Sequence, residues 1–518
     1  MAQIKVSNLT YAYEGSMDNV FENISFNIDS DWKLGFVGRN GKGKTTLLNL
    51  LMDKYSYKGS IVSNMKFDYF PYSISANAME KCAYELIEEW KPEIENWQVL
   101  IELNEIGMDA ECLYRPFNTL SFGERTRVML AVLFAGDNEF LLIDEPTNHL
   151  DVNAREIVKD FLKKKKGFIL VSHDRDLLDA VCDHMLVFNK ETVSVQMGNF
   201  TSWWNQKEMQ DVHNLAENEK HKKEIGRLKS SIDRFDRWAK KGESTKIGFD
   251  PIKENDRSIA TRATIGAKTK KMNSRIKSFE KRVDREISEK EGLLKDIESV
   301  KNLKINPLEF HKKTLVNAYD LSLQYEGMDE LFADLRFDIK QGERVILSGA
   351  NGCGKSSIIK AILSKINNNN YLNETSNKDN GNQDLIINGT LEVPKGLVIS
   401  YINQDTSNLS GTLKEYAEKN GLDETLFLTV LRQLDFERSQ YNKRIEDFSE
   451  GQKKKVLIAA SLITPAHLYI WDEPLNYIDV FSRMQIEKLI LDFKPTMLIV
   501  EHDVRFKEKI ATKEIIVK

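Results

Sequence analysis

Two stretches of this chain have the residue types of a phosphate cradle. GRNGKGKT runs from Gly38 to Thr45 and GANGCGKS from Gly349 to Ser356, each behind an apolar, strand-like run. Glycines let the backbone fold so that its N–H groups and the following helix N-terminus face an anion. Both stretches match the phosphate-binding loop. On that reading Gly38, Asn40, Gly41 and Gly43 line one nucleotide, and Gly349, Asn351, Gly352 and Gly354 a second. Lys44 and Lys355 would meet the β/γ charge, Thr45 and Ser356 would ligate Mg²⁺, and Thr46 and Ser357 come next in each loop. Downstream, FLLIDE (Phe140 to Glu145) and LYIWDE (Leu468 to Glu473) read as buried strands that deliver paired carboxylates at their C-terminal ends. Asp144 and Asp472 suit a Mg²⁺ role, while Glu145 and Glu473 can polarise an attacking water. The chemistry implied is hydrolysis of a nucleoside triphosphate, at two sites.

Such residues need a scaffold, and the scaffold is repeated. The segment from Ser7 to His173 recurs, motif by motif, between Asn317 and His502. Each copy opens with strand-like alternation (Ile4 to Tyr13; Leu315 to Tyr325), reaches the glycine-rich loop, continues as an apolar helix and later reaches the Asp-Glu strand. That order is α/β. At 518 residues the chain exceeds what one core supports. The expected domains are 1–204, a helical connector over 205–310, and 311–518. No apolar run approaches the ~18 residues of a spanning helix and no signal peptide is visible, so a cytoplasmic protein without a membrane domain is expected. Cys82, Cys112, Cys182 and Cys353 lack paired spacing and read as ordinary reduced thiols.

The connector is dense in Lys, Glu and Arg. Ile225, Leu228, Ile232, Phe235 and Ala239, then Met272, Ile276, Phe279 and Val283, follow heptad-like spacing and predict two packed antiparallel helices. Arms of ~35 residues would reach roughly 50 Å. Gly248, Pro251 and Gly266 place a turn or loop at the tip, within residues 240–266. From Lys240 to Arg282 there are 13 Lys and Arg against 5 Asp and Glu, a charge of +8 in a chain whose net charge is −5. A basic island in an acidic protein points to a polyanionic partner. The plain alternative is an inter-domain spacer, although antiparallel neighbours need only a short loop. Residues 367–381 are Asn-rich and read as a disordered surface loop.

Together these motifs resemble the ABC ATPases. LSFGE (Leu120 to Glu124) and FSEGQ (Phe448 to Gln452) look like the ABC signature, and His173 and His502 look like the switch histidine. Tyr13, 25 residues before Gly38, and Tyr325, 24 before Gly349, sit where ABC proteins stack an aromatic ring on adenine. The resemblance implies a head-to-tail sandwich binding ATP and Mg²⁺. Ser449 and Gly451 would then cap the first site, and Ser121 and Gly123 the second. Gln404 falls at the metal-coupling glutamine of the second cassette, whereas the first has Pro71 and Tyr72 there. That departure implies looser coupling to Mg²⁺ in site one.

Two cassettes on one chain with a long helical linker are similar to the ABC-F proteins, and within them to the Lsa-type antibiotic-resistance members. The chain ends just past the second switch, and no large arm interrupts the first cassette. This resemblance implies a monomer that binds the E site of the 70S ribosome in its ATP form. Its linker tip would reach toward the peptidyl-transferase centre, 23S rRNA and P-site tRNA, protecting against lincosamides, streptogramin A compounds and pleuromutilins. Lys246, Phe249, Lys253, Arg257 and Arg262 are the tip residues placed for such contacts. Three rivals stand beside it. One is a housekeeping ABC-F translation factor. Another is the ATPase subunit of a membrane transporter, which the basic linker disfavours. The third, a DNA-repair ATPase, would carry its helices inside one cassette, and here they lie between two, so no DNA partner is expected.

Overall fold

A computed structural model describes residues 3–14, 19–136, 140–148, 150–188, 193–244, 270, 274, 282–283, 303–327, 329–366 and 385–517. By contacts the chain forms two compact units, Met1–Trp203 with Val300–Lys518, and Trp204–Ser299. Both repeats lie in the first unit, so their mutual contacts belong to one body.

Each repeat holds a mainly parallel sheet. In the first the strand order is Phe67–Phe70, Phe140–Asp144, Phe168–Val171, Lys33–Gly38, His184–Phe188, Val193–Met197, with only the last strand antiparallel. In the second it is Ile399–Ile402, Leu468–Asp472, Met497–Val500, Arg344–Ser348, Lys513–Ile516, and every pairing is parallel. The central strands carry unbroken apolar runs, FILV at Phe168–Val171 and MLIV at Met497–Val500, because helices cover both faces. The opening strands Gln3–Tyr11 and Thr314–Tyr325 alternate instead. Each belongs to a separate three-stranded antiparallel sheet with one buried face. This is the two-cassette α/β architecture that the repeat implied.

The loops that matter lie at the C-terminal ends of the parallel strands, where α/β sheets place ligands. The strand Lys33–Gly38 feeds the first glycine-rich loop and the helix Lys44–Leu51, and Arg344–Ser348 feeds the second and the helix Lys355–Lys365. Gly43 and Gly354 cap these helices in left-handed backbone, φ +84° and +94°. A Cβ on Gly43 would come within 2.6 Å of Val20, so this turn is closed to larger residues.

One helix runs Phe200–Ser244, 45 residues, or about 67 Å, so its first turn lies in the first unit and the rest in the second. Its first turn is fixed by tertiary contacts. Asp179 accepts the Thr201 amide at 2.7 Å, and Phe200 and Trp203 are buried. Ile225 and Val283 of the apolar stripes are buried, at 7% and 2% exposure. The tip residues Lys246, Phe249, Lys253, Arg257 and Arg262, most of the second arm and the Asn-rich loop lie outside the described residues.

Candidate active sites

In the first cassette Lys44 folds back onto its own loop, donating to the Gly38 carbonyl at 2.8 Å. Thr45 Oγ1 donates to Asp144 Oδ2 at 2.7 Å, which joins the two groups expected to share a metal. Glu145 follows with φ +51°, a left-handed backbone unusual for a side-chain-bearing residue. That turn sends its carboxylate to His173, with Nε2 3.3 Å from Oε1 and the His173 amide donating to Oε2 at 3.2 Å. Burial, then the charge of Asp144, pushes the Glu145 carboxyl up to about 8. Burial, with Lys44 and Arg483 nearby, holds His173 well below its usual value and keeps the ring neutral.

The second cassette repeats the layout with different partners. Lys355 donates to the Gly349 carbonyl at 2.9 Å, and Ser356 bonds to Asp472. Glu473 has φ +47° and lies 3.5 Å from His502 Nε2. Gln404 Nε2 donates to Glu473 Oε2 at 2.8 Å. Burial opposes the charge on Glu473, yet its bond to His502 and that ring's charge leave the carboxyl below its usual value. Asp472 is pushed up to about 6, mainly by burial. Lys355, Ser356, Gln404, Glu473 and His502 line a cleft of about 370 Å³ with Tyr325, Asn351, Gly352, Gly354, Ser357 and Asn476. The first cassette contributes Phe122, Leu150 and Arg155 to that cleft, rather than Ser121 or Gly123 themselves.

The aromatic rings singled out by spacing are tied to the loop helices. Tyr13 shares a hydrogen bond with Thr46 Oγ1 at 2.6 Å and is 45% exposed; Tyr325 does the same with Ser357 Oγ at 3.0 Å. Ser121 and Ser449 cap the signature helices Phe122–Phe134 and Glu450–Ile463, accepting from the Glu124 and Gln452 amides.

Across the interface, Asn40 of the first loop donates to the Tyr477 carbonyl of the second cassette at 2.6 Å. A Cβ on Gly451 would fall 2.5 Å from that carbonyl and 2.8 Å from Asn40 Nδ2, so the signature glycine is a point of closest approach. Arg39 pairs with Asp435 and Lys42 with Glu437 across the same seam. Site one is thus assembled from both cassettes.

Residues the motifs did not mark complete this arrangement. Arg483 Nη1 reaches Asp503 at 3.1 Å, and Lys454 donates to the carbonyls of Asn403 and Gln404, holding the glutamine loop. Tyr69 donates to Asp144 Oδ2 at 3.2 Å. The register shared by Tyr69 and Tyr401, each three residues before Tyr72 or Gln404, was the sequence signal for it.

Among the described residues no group of three or more His, Cys, Asp or Glu side chains forms a metal cage. One hydroxyl and one carboxylate per site fit Mg²⁺ shared with nucleotide oxygens, which is how this ion is commonly held. Asp472 Oδ1, buried without a hydrogen-bond partner among the described residues, fits the same role.

The family model described as ABC transporter matches residues 21–148 and 332–476, and a second model of that description matches 188–247. The chain belongs to the ABC transporter family. Two such cassettes make it an ATP-hydrolysing ABC ATPase. This ABC ATPase is similar to the Ribosome protection protein VmlR of Bacillus subtilis (strain 168), 26% identical over 98% of this chain and 85% of that one. It is also similar to the Erythromycin resistance ATP-binding protein MsrA of Staphylococcus epidermidis, 26% identical over 93% of this chain and 91% of the other. In fold, the ABC pair matches the archaeal ribosome recycling factor aABCE1 at TM-score 0.60, with 19% identity over 98% and 87% of the two chains. No helix among the described residues is long and apolar enough to cross a membrane.

Proposed function

We propose that this chain is a cytoplasmic, ribosome-associated ABC-F ATPase. In its ATP-bound form it occupies the ribosomal E site and extends its linker toward the peptidyl-transferase centre, protecting it from lincosamides, streptogramin A compounds and pleuromutilins. The observation that carries the reading is the full-length match to a ribosome protection protein, both cassettes and linker included. The +8 charge of residues 240–282 suits an RNA partner.

In each site the loop amides and Lys44 or Lys355 would bind the phosphates, Tyr13 or Tyr325 the adenine. Mg²⁺ held by Thr45 and Asp144, or by Ser356, Asp472 and Gln404, would neutralise charge on the β- and γ-oxygens. Glu145 and Glu473 would position the attacking water, with His173 and His502 fixing their carboxylates. Asn40 and Gly451 meet at the seam, so a nucleotide on the first loop would lie against the second cassette's signature, which would link occupancy to closure and make the closed form the ribosome-binding form.

The test expresses the chain in a drug-sensitive host and compares it with the Glu145→Gln/Glu473→Gln double variant. Turnover should fall by on the order of 10² to 10⁴. ATP binding should persist, co-sedimentation with ribosomes should increase, and the wild type should raise resistance to the three drug classes. Ribosome retention that is equal or weaker, with ATP bound, overturns the closed-form mechanism. Unchanged susceptibility of the host points to a housekeeping translation factor instead.

A further inference from the structure

The two cassettes brace different members of their Asp-Glu pairs, and by different means. In the second, Gln404 follows the strand Ile399–Ile402 and its amide reaches Glu473 at 2.8 Å. In the first, the matching position is Tyr72, and its ring has turned away. Its hydroxyl donates to Asp68 Oδ2 at 2.7 Å and the ring stacks on Trp90, centroids 4.8 Å apart and planes 9° from parallel. Lys91 takes the same Asp68 at 2.8 Å, so Tyr72 is anchored on the side of the helical subdomain.

The neighbouring tyrosine does something its counterpart does not. Tyr69 donates to Asp144 Oδ2 at 3.2 Å, beside the 2.7 Å bond from Thr45 to that same oxygen. Lys54 lies over the Tyr69 ring at 5.4 Å from its centroid and fixes the ring from the other side. The equivalent Tyr401 spends its proton on Asn403 Oδ1 at 3.2 Å. Two donors on one carboxylate oxygen set the plane of Asp144, the part that outer-shell hydrogen bonds play around metals.

We propose that Tyr69 is a positioning residue of site one, orienting Asp144 toward the metal where the usual glutamine is missing. This rests on the reading of Thr45 and Asp144 as metal ligands. Site one is then not a weakened copy of site two; a phenol braces its aspartate, where in site two an amide braces the glutamate.

The test uses the full chain with Mn²⁺ as the probe. AMP-PNP is bound to Lys355→Ala protein, in which only site one can load, and protein-bound Mn²⁺ is read by electron paramagnetic resonance. Tyr69→Phe keeps the ring and removes only the hydroxyl. It should weaken Mn²⁺ binding about tenfold. Tyr401→Phe, measured in Lys44→Ala protein, should leave site-two Mn²⁺ affinity within about twofold. Unchanged Mn²⁺ affinity in Tyr69→Phe, or an equal loss in Tyr401→Phe, overturns the assignment. Failure of Lys355→Ala protein to bind Mn²⁺ with Tyr69 intact overturns the reading of site one itself, and the tyrosine's role with it.

Discussion

Glu145 and Glu473 adopt left-handed backbone, at φ +51° and +47°, directly after strands that end in Asp144 and Asp472. The turn separates adjacent carboxylates: the aspartate stays with the loop hydroxyl, and the glutamate swings to its histidine. Strain of ~1–3 kcal/mol persists only where surroundings over-determine it, and here burial and the histidine do so. Gly451 is governed by space instead, its missing Cβ leaving room for Tyr477 and Asn40. Gly451→Ala suits the first turn of the helix Glu450–Ile463, but its Cβ meets the Tyr477 backbone carbonyl of its own cassette, so that carbonyl and the Asn40 bond made to it must shift. The variant should lose on the order of 10² of the site-one turnover, because the cassettes cannot close to register. ATPase assays in a Glu473→Gln background check this. A rate equal to that of the background alone would show that closure does not need this approach.

Among the elements, the linker helix is the one whose beginning is set by contacts. Its first turn is held twice: Asn199 Oδ1 accepts the Ser202 amide at 3.0 Å as an ordinary N-cap, and Asp179, from another helix, accepts both the Thr201 amide and its hydroxyl. Arg505, three residues past the second switch histidine, pairs with the same Asp179 and donates to Thr201 at 3.3 Å. Trp203 meets Phe481 of the second cassette edge-on at 6.1 Å. Asp179→Ala should cost about 1–2 kcal/mol, the size of a lost helix cap. It should also speed hydrogen exchange at Thr201, while the Ser202 amide, held by Asn199, stays protected. Arg505→Ala keeps the cap and should leave those amides protected. Equal exchange in the two variants would show that the ion pair, not the cap, holds the helix start.

At the scale of the molecule, the cassettes are joined by charges almost wholly out of water. Arg175, two residues past the first switch histidine, bonds in fork fashion to Glu487 of the second cassette, at 2% and 3% exposure. Asp503 stands 3.8 Å from Arg175, and Lys509 3.3 Å from Glu487. A buried pair is costly to break singly, because the partner charge is left stranded. Arg175→Met should cost about 3–5 kcal/mol, and Arg175→Met with Glu487→Leu should recover most of it. Denaturation of the two single variants and the double one measures the coupling. Purely additive costs would show that the pair does not join the cassettes.

The sequence alone determined the phosphate loops, the Asp-Glu strands, the repeat and the α/β class. These depend on local spacing, and an eight-residue loop or a buried strand carries its whole signature in consecutive residues. It also marked Tyr72 as a departure, while the bonds of Tyr13 to Thr46 and Tyr325 to Ser357 came only with the structure. It did not show where the ring of Tyr72 goes, nor that Tyr69 reaches Asp144, because a strand residue's partner is chosen by whatever the sheet brings alongside. The helix that enters the linker starts at Phe200, inside the first domain, where Asn199, Asp179 and the buried aromatics hold its first turn. The Arg175–Glu487 pair and the Asn40–Tyr477 contact span 312 and 437 residues of sequence. No local pattern encodes contacts at that separation; only the packing of one cassette on the other decides them.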